Sequence, residues 1–596
     1  MSKNMNRLAG TGLIHNVDHR ETVSLNGKWQ IIIDPYETGY RNYRYEARPD
    51  GYFRNMKPRG KTELVEYIFD DCEQLNVPGD WNTQREDLRF YEGTVWYKKS
   101  FEYSRKPGTR VFVYLGAVNY DAIVFVNGQK IGEHEGGFTP FNFEITSPVR
   151  DGDNFIVVKA NNQRRREAVP TVNTDWWNYG GLTRRVLLVE EPETFIKDYM
   201  AQLEKGSFKS IRGYVQLDGP QKQQNVTLTI PEASVEATVK TDRDGYAEVT
   251  VDSSFDRWSP ETPNLYEVNF TAMSDTVRDS IGFRSIQTRR TKILLNGEPL
   301  FLRGVSIHEE APFRGGRTYS KEDAEILLRW AKDMNCNFVR LAHYPHNEYM
   351  TRTADKLGIL VWSEIPVYWT ILWENEETYK NAQNQLAEMI ARDKNRASVI
   401  LWSVANETPL SDARLRFLRR LVDHARKMDP TRLVTAAMER HYLEDGRTLM
   451  IDDPLGEYID VFGCNEYIGW YDGLPEKASQ VRWKTVYNRP VIMSEFGGGA
   501  LYNYHGDPLT RWTEEFQESV YNYQTEMLRN IPFLAGTTPW VLMDFRSPRR
   551  PLKGIQDFYN RKGLISEQGQ RKKAFYVMKK FYEEIRENTS LARKVR

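Results

Sequence analysis

Two glutamates, each following an apolar run, are the residues of this chain whose type and setting best suit bond cleavage. Glu407 comes after ILWSVA and Asn406, and Glu495 comes after VIMS. Glycosidic cleavage needs two carboxyl groups flanking one bond. One, protonated, gives its proton to the departing oxygen; the other, ionised, attacks the anomeric carbon. A gap of about 5–5.5 Å favours retention through a covalent intermediate, and about 6.5–9.5 Å leaves room for an attacking water. The sequence leaves that choice open. More polar groups stand at the ends of other apolar runs: His308 and Glu309, Arg340 and His343, Glu364, Asn465 and Tyr467. Burying so many is unfavourable unless they bond one another or line a pocket. Any one of them alone fits a structural network, but their repeated placement asks for a shared reason.

The runs that carry these residues alternate with amphipathic stretches. From Thr291 onward, FLRGVSI, FVRLAH, ILVWSE, VILWSVANE, LVTAAME, VFGCNEY, PVIMSEFG and TTPWVLMDF read as eight strands. DAEILLRWAKDM, NQLAEMIARDK and RLRFLRRLVDHARK read as helices among them. This alternation predicts a closed parallel (β/α)8 barrel over 289–596, with its chemistry at the C-terminal ends of the strands. Strands buried on both faces stay apolar until their last residues. Upstream, 1–195 is strand-rich, with RVFVYLG, AIVFVNG, NFIVVKA and RRVLLVE separated by turn residues. Asn127-Gly128 suits a tight hairpin turn because both residues tolerate positive φ. The segment from Trp176 to Gly181 is too polar and irregular for a core strand, so its turns are expected to project side chains away from the domain. The block 196–288 reads as a small two-sheet sandwich, with WSPETPNLY from Trp258 as a proline-set bend.

The bulk composition narrows the partners. A chain of 596 residues exceeds one ordinary core, and its 82 basic and 82 acidic residues give a formal net charge of +0. That balance gives no electrostatic reason to expect a nucleic-acid partner. Cys72, Cys336 and Cys464 are too few and too scattered for a disulfide framework. No run is long enough to suggest a membrane span, and MSKNMNRLAG lacks the apolar stretch of a secretory signal. The expected location is therefore the cytoplasm, or the periplasm if a leader has been removed.

Several motifs together resemble glycoside hydrolase family 2 and, within it, the β-glucuronidases. VPGDWN from Val77, YEGTVWY from Tyr91 and GGFTPF from Gly136 are similar to motifs of the family's first domain, and WSPETPNLY to its sandwich. The resemblance implies a β jelly-roll sugar-binding domain, an immunoglobulin-like sandwich and a catalytic barrel. It implies retention, with Glu407 as acid/base and Glu495, in MSEFGG, as nucleophile. Asn406 then donates to the sugar's 2-hydroxyl. Tyr467 supports the nucleophile, and Arg340 keeps it ionised or serves the barrel rim structurally. Asn560 and Lys562, in NRKG, match an Asn-x-Lys motif that contacts a sugar's C6 carboxylate; alone, NRKG would read as a solvated loop. Asp175 in TDWWNYGG and His343 in RLAHYP match glycone-pocket residues, as do Asn465, Tyr467 and Tyr471 in CNEYIGWY.

The expected substrate is a β-glucuronide or another acidic β-glycoside. The enzyme alternatives are a β-galacturonidase or a neutral-sugar β-galactosidase or β-mannosidase, and the non-enzyme alternative is a carbohydrate-binding scaffold. No cofactor or metal is expected: His308, Glu309 and Glu364 more easily supply pocket hydrogen bonds than a metal site. The resemblance also implies a homo-dimer or homo-tetramer. One segment departs from the pattern: DFRSPRRPLKGIQDFYNRKG from Asp544 places Arg546, Arg549 and Arg550, and Gln556, near the carboxylate motif. These arginines suit either an acidic substituent or a solvated loop. Tyr368, Trp369 and Trp373 form an apolar platform at the pocket mouth or a loop-packing cluster.

Overall fold

In this computed structural model, residues 12–47, 60–62, 68–273 and 275–594 are described. Eight parallel strands close into a barrel: β1 (Leu302–Ile307), β2 (Phe338–Leu341), β3 (Leu360–Glu364), β4 (Val399–Asn406), β5 (Leu433–Met438), β6 (Val461–Asn465), β7 (Val491–Glu495) and β8 (Leu534–Thr537). Every residue of β4 is buried, as expected when one face meets the barrel interior and the other meets the helices. The helices are α1 (Lys321–Asp333), α2 (Glu348–Leu357), α3 (Glu376–Asp393), α4 (Asp412–Met428), α5 (Glu514–Arg529) and α6 (Lys573–Lys594). Ser320 and Asp323 begin α1 with a reciprocal capping box, and Thr513 caps α5, so both starts satisfy backbone donors locally. No helix among the described residues is long and apolar enough to cross a membrane.

The eighth strand differs from the sequence expectation. TTPWVLMDF reads as the strand, but β8 is LAGT, and it ends where that run begins. Gly536 lets β8 approach β1, since a Cβ there would lie 2.6 Å from Leu302 Cβ. Pro539 to Leu542 instead cross the end of β1: Ser306 donates to the Pro539 carbonyl at 3.1 Å, and Leu542 donates to the Ser306 carbonyl at 2.9 Å. The apolar residues there are buried by an aromatic layer over the barrel that includes Trp176, Tyr344 and Tyr368, not by strand neighbours.

Upstream of the barrel, a six-stranded and a four-stranded antiparallel sheet share one apolar core, the jelly-roll layer arrangement. Asn127 (φ 48°) and Gly128 (φ 87°) turn the hairpin between Asp121–Val126 and Gln129–Glu135. A three-stranded and a four-stranded sheet follow and form the immunoglobulin-like sandwich around its own core. Alternating burial along Ser210–Asp218 is what a strand with one face on a core requires.

The segment from Trp176 to Gly181 does leave its domain. Trp176 packs among Tyr344 and Tyr368 of the barrel, the Trp177 amide donates to the Arg546 carbonyl at 3.1 Å, and the Tyr179 hydroxyl lies 2.8 Å from Glu310 Oε1. Arg184 crosses the same boundary, donating to both Glu309 oxygens at 3.1 Å and to the carbonyls of Phe138 and Pro345. His308 and Glu309 therefore do not supply pocket hydrogen bonds. His308 stacks on Phe545 and contacts the Tyr344 hydroxyl, while Glu309 ties the first domain to the barrel.

Glu309 also lies 3.7 Å from Arg317, so its removal leaves two buried guanidinium groups without their carboxylate. Glu309→Ala is expected to lower the free energy of unfolding by roughly 3–5 kcal/mol. Urea unfolding followed by tryptophan fluorescence checks this, and an unchanged midpoint would show that the cluster contributes no net stability.

Candidate active site

Above the strand ends lies a cavity of about 340 Å³. Strand ends and the loops above them supply its lining, with Asp175 reaching in from the first domain, which is why residues distant in sequence meet. The guanidinium of Arg340, at the end of β2, is fully buried beneath it. It donates to Glu495 Oε1 at 2.8 Å, to the Ser494 carbonyl at 3.1 Å, to both Glu364 oxygens at 3.1 and 3.2 Å, and to Asn406 Oδ1 at 2.7 Å. Burial alone would weaken the Arg340 charge, but Glu364 and Glu495 outweigh it and push its pKa above the ordinary value. Burial would raise Glu364, yet Arg340 and His343 hold its carboxyl down at about 2.

Glu495 Oε2 accepts from the Tyr467 hydroxyl at 2.7 Å. Burial, then the nearby charge of Glu407, pushes the Glu495 carboxyl above its ordinary value, while Arg340, His343 and Tyr467 pull against them. Glu407 has a different setting. Trp369 Nε1 donates to its Oε2 at 2.8 Å and Asn465 Nδ2 to its Oε1 at 3.0 Å, so its donors are neutral. Its backbone takes φ 47°, a left-handed conformation that costs a glutamate of order 1–3 kcal/mol and turns it off the end of β4. His343 Nδ1 lies 2.7 Å from Glu364 Oε1. An ionised carboxylate can only accept, so Nδ1 carries the proton, and Nε2 lies 3.8 Å from Glu495 Oε1.

The sequence-derived residues divide by position. Glu407, Glu495, Asp175, His343, Asn465, Tyr467, Tyr471 and Lys562 line the main cavity. Asn406 lies behind its wall, and its amide Nδ2 is buried without an acceptor. Asn560 lines an adjoining cavity instead and donates to Asp175 Oδ2 at 3.2 Å. Asp175 is not a free carboxylate waiting for sugar hydroxyls: Ser547 donates to its Oδ1 at 2.7 Å, Arg550 Nε at 3.0 Å, and Arg550 Nη2 bonds its Oδ2. Arg550, one of three arginines whose role the sequence left open, thus lies in the cavity wall. Arg549 covers the Trp369 ring and Arg546 holds the Tyr559 hydroxyl. Trp369 and Tyr368 line the cavity, whereas Trp373 packs on Phe417, outside it. Trp540 also lines it, a role the sequence hides because TTPWVLMDF has the pattern of a strand.

Lys562 is buried, and its ammonium donates to the Tyr471 hydroxyl at 2.7 Å. Lys562 and Arg550 overcome the effect of burial on Tyr471 and bring that phenol's pKa below its ordinary value. The loop is pinned from beneath by Asp544, which accepts from the Gly563 amide at 2.8 Å and from Lys572 Nζ at 2.8 and 2.9 Å.

The chain belongs to glycosyl hydrolase family 2. Residues 286–587 match the family's TIM barrel domain, 22–192 its sugar binding domain, and 196–284 the region described as glycosyl hydrolases family 2. Among its relatives is a β-glucuronidase of Paenibacillus borealis, 28% identical over 95% of this chain and 98% of that one. A β-glucuronidase from Ruminococcus gnavus in complex with D-glucaro-D-lactam superposes with a TM-score of 0.79 at 25% identity, over 95% of this chain and 98% of that one. A β-galacturonidase from Eisenbergiella tayi shares the fold, with a TM-score of 0.78 at 23% identity, over 95% and 96% of the two chains.

Glu466, in the cavity wall, is buried, and burial pushes its carboxyl up to about 7 from 4.5. Because the folded chain binds this proton more tightly than the unfolded chain, the contribution to stability is present below about pH 4.5 and is lost as pH rises through about 7. Glu466→Gln is expected to remove about 3 kcal/mol of that decline. Unfolding curves of both proteins across this range check it; parallel pH profiles would refute it.

Proposed function

We propose that the chain is a retaining exo-β-glucuronidase, with Glu407 as acid/base, Glu495 as nucleophile and Lys562 receiving the C6 carboxylate of a terminal uronic acid. The observation that carries this reading is the setting of Lys562. Among the described residues this buried ammonium has no carboxylate partner, and it faces the cavity that holds both glutamates. An ammonium out of water requires an anion, and a uronate brings one. Asn560 and Arg550 flank Lys562 and add donors suited to the same planar group.

Glu495, which has a guanidinium and a phenol to stabilise its anion, acts as the nucleophile, and Glu407 acts as the proton donor. Glu495 attacks the anomeric carbon, the bond to the leaving oxygen breaks, and Glu407 transfers its proton to that oxygen. The resulting ester no longer carries the Glu495 charge, so Glu407, now ionised, takes a proton from water. That water attacks the same carbon from the face the leaving group vacated, which frees Glu495 and retains configuration. The unpartnered Asn406 amide suits a donor to the 2-hydroxyl. Asp175, with four donors on its oxygens, acts by holding Arg550 at the sugar. The aglycone leaves past Trp369, Glu439 and Arg440, on the side of Glu407.

Glu495→Gln is expected to lower kcat on an aryl β-glucuronide by roughly a thousandfold or more while leaving the protein folded. Turnover near wild type in a clean preparation removes the nucleophile assignment. Proton NMR of the first product should show the β-anomer, and an α-anomer would mean inversion.

Lys562→Ala is expected to weaken kcat/KM on the glucuronide by about a hundredfold while sparing any activity on the matching β-glucoside. Wild type should prefer the glucuronide to its C4-epimeric galacturonide, and stronger galacturonide turnover would overturn the sugar assignment.

A further inference from the structure

The cavity that holds the two glutamates does not end at Lys562. A second chamber of about 240 Å³ adjoins it, and the two share Tyr471, Arg550 and Lys562. The hydrogen bond between Lys562 and Tyr471 belongs to that shared wall. Trp470 and Trp512, in edge contact with ring centroids 5.0 Å apart, form an aromatic side, and Arg511 lies over the Trp470 ring at 5.0 Å. Gln556 and Asn560 complete the lining, which includes no aspartate or glutamate. Three cations and no acid make a chamber for negative charge.

These cations are not equivalent. Asp175 already answers Arg550. In the functional reading above, on which this inference rests, the C6 carboxylate answers Lys562. Arg511 is exposed and has no ion-pair partner among the described residues, so its charge is the one left over.

The position of the chamber selects the part of the sugar that reaches it. Glu407, where the leaving group departs, lines the first cavity and not the second. In a hexuronic acid, C4 lies opposite C1 across the ring and next to the carbon that bears the carboxylate. With C1 at the glutamates and the carboxylate at Lys562, a group on O4 points past Lys562 into the chamber. We propose that the second chamber is a subsite for a negatively charged substituent on O4 of the terminal uronate, read by Arg511. The natural substrate class is then an O4-modified acidic glycoside.

The test compares three 4-nitrophenyl β-glucuronides, unsubstituted, 4-O-methyl and 4-O-sulfated, on wild type, Arg511→Gln and Arg511→Lys. Wild type is expected to cleave the sulfated substrate with kcat/KM at least equal to that of the parent. Arg511→Gln should lose about tenfold to a hundredfold on the sulfated substrate alone. The parent and 4-O-methyl substrates should stay within about twofold, and Arg511→Lys should recover part of the loss, since Lys keeps the charge without the planar fork. A sulfated substrate left intact while the parent is cleaved overturns the proposal, as does an equal loss on all three substrates in Arg511→Gln. No cleavage of the parent by wild type overturns the uronide reading itself, and the subsite with it.

Discussion

A carboxylate held out of water needs a cation beside it, and the barrel meets that need with the fully buried guanidinium of Arg340. Its fork spans Glu364 and Glu495, and a further N–H reaches Asn406. Glu364 is the more strongly stabilised of the two acids, at about 2, so it remains charged whatever happens above it. The arrangement is therefore asymmetric. One carboxylate, Glu364, holds the arginine in place, and the other, Glu495, shares the same cation. A lysine would carry the charge but lacks the planar fork that fixes Glu495, Asn406 and Glu364 relative to one another.

The other constraint is that two of the groups around the cavity depend on a domain other than the barrel. Asp175 comes from the first domain, yet it grips Arg550 and Asn560 of the loop after β8. Trp176 beside it packs against His343 and Tyr368. The glutamates are set by strands, and the groups that meet the far side of the cavity are set by loops held between domains. Loops tolerate change that strands do not. The same barrel can thus keep its paired glutamates while the loops around them change.

The barrel was legible in the sequence because strands buried on both faces must be apolar along their length, a signal that needs no partner to be recognised. β8 was the exception. Its glycine carries little hydrophobic signal, and the stronger apolar run after it belongs to a layer over the barrel. Glu407 and Glu495 were legible because a charge that closes an apolar run is costly and stands out. The link between Arg550 and Asp175 was not legible: the two lie 375 positions apart, and SPRRP alone fits a solvated turn as well as a cavity wall. Trp369 was recognised as a platform but not as a donor to Glu407, since the orientation of an indole depends on the left-handed turn it occupies, φ 54°.

The pairing of Asp175 with Arg550 changes what the first domain contributes. A free aspartate there would accept hydrogen bonds from sugar hydroxyls and repel a nearby carboxylate. An aspartate whose oxygens already take four donors does neither; it converts a mobile arginine into a fixed one. Fixing the cation before substrate arrives lowers the entropy lost on binding. The cost is that Arg550 is partly neutralised, so the net positive charge at the far end of the cavity rests on Lys562, with Arg511 in the chamber beyond. In the proposed reading, recognition of an acidic sugar is accordingly a matter of which cation is left without a partner once the protein's own ion pairs are made.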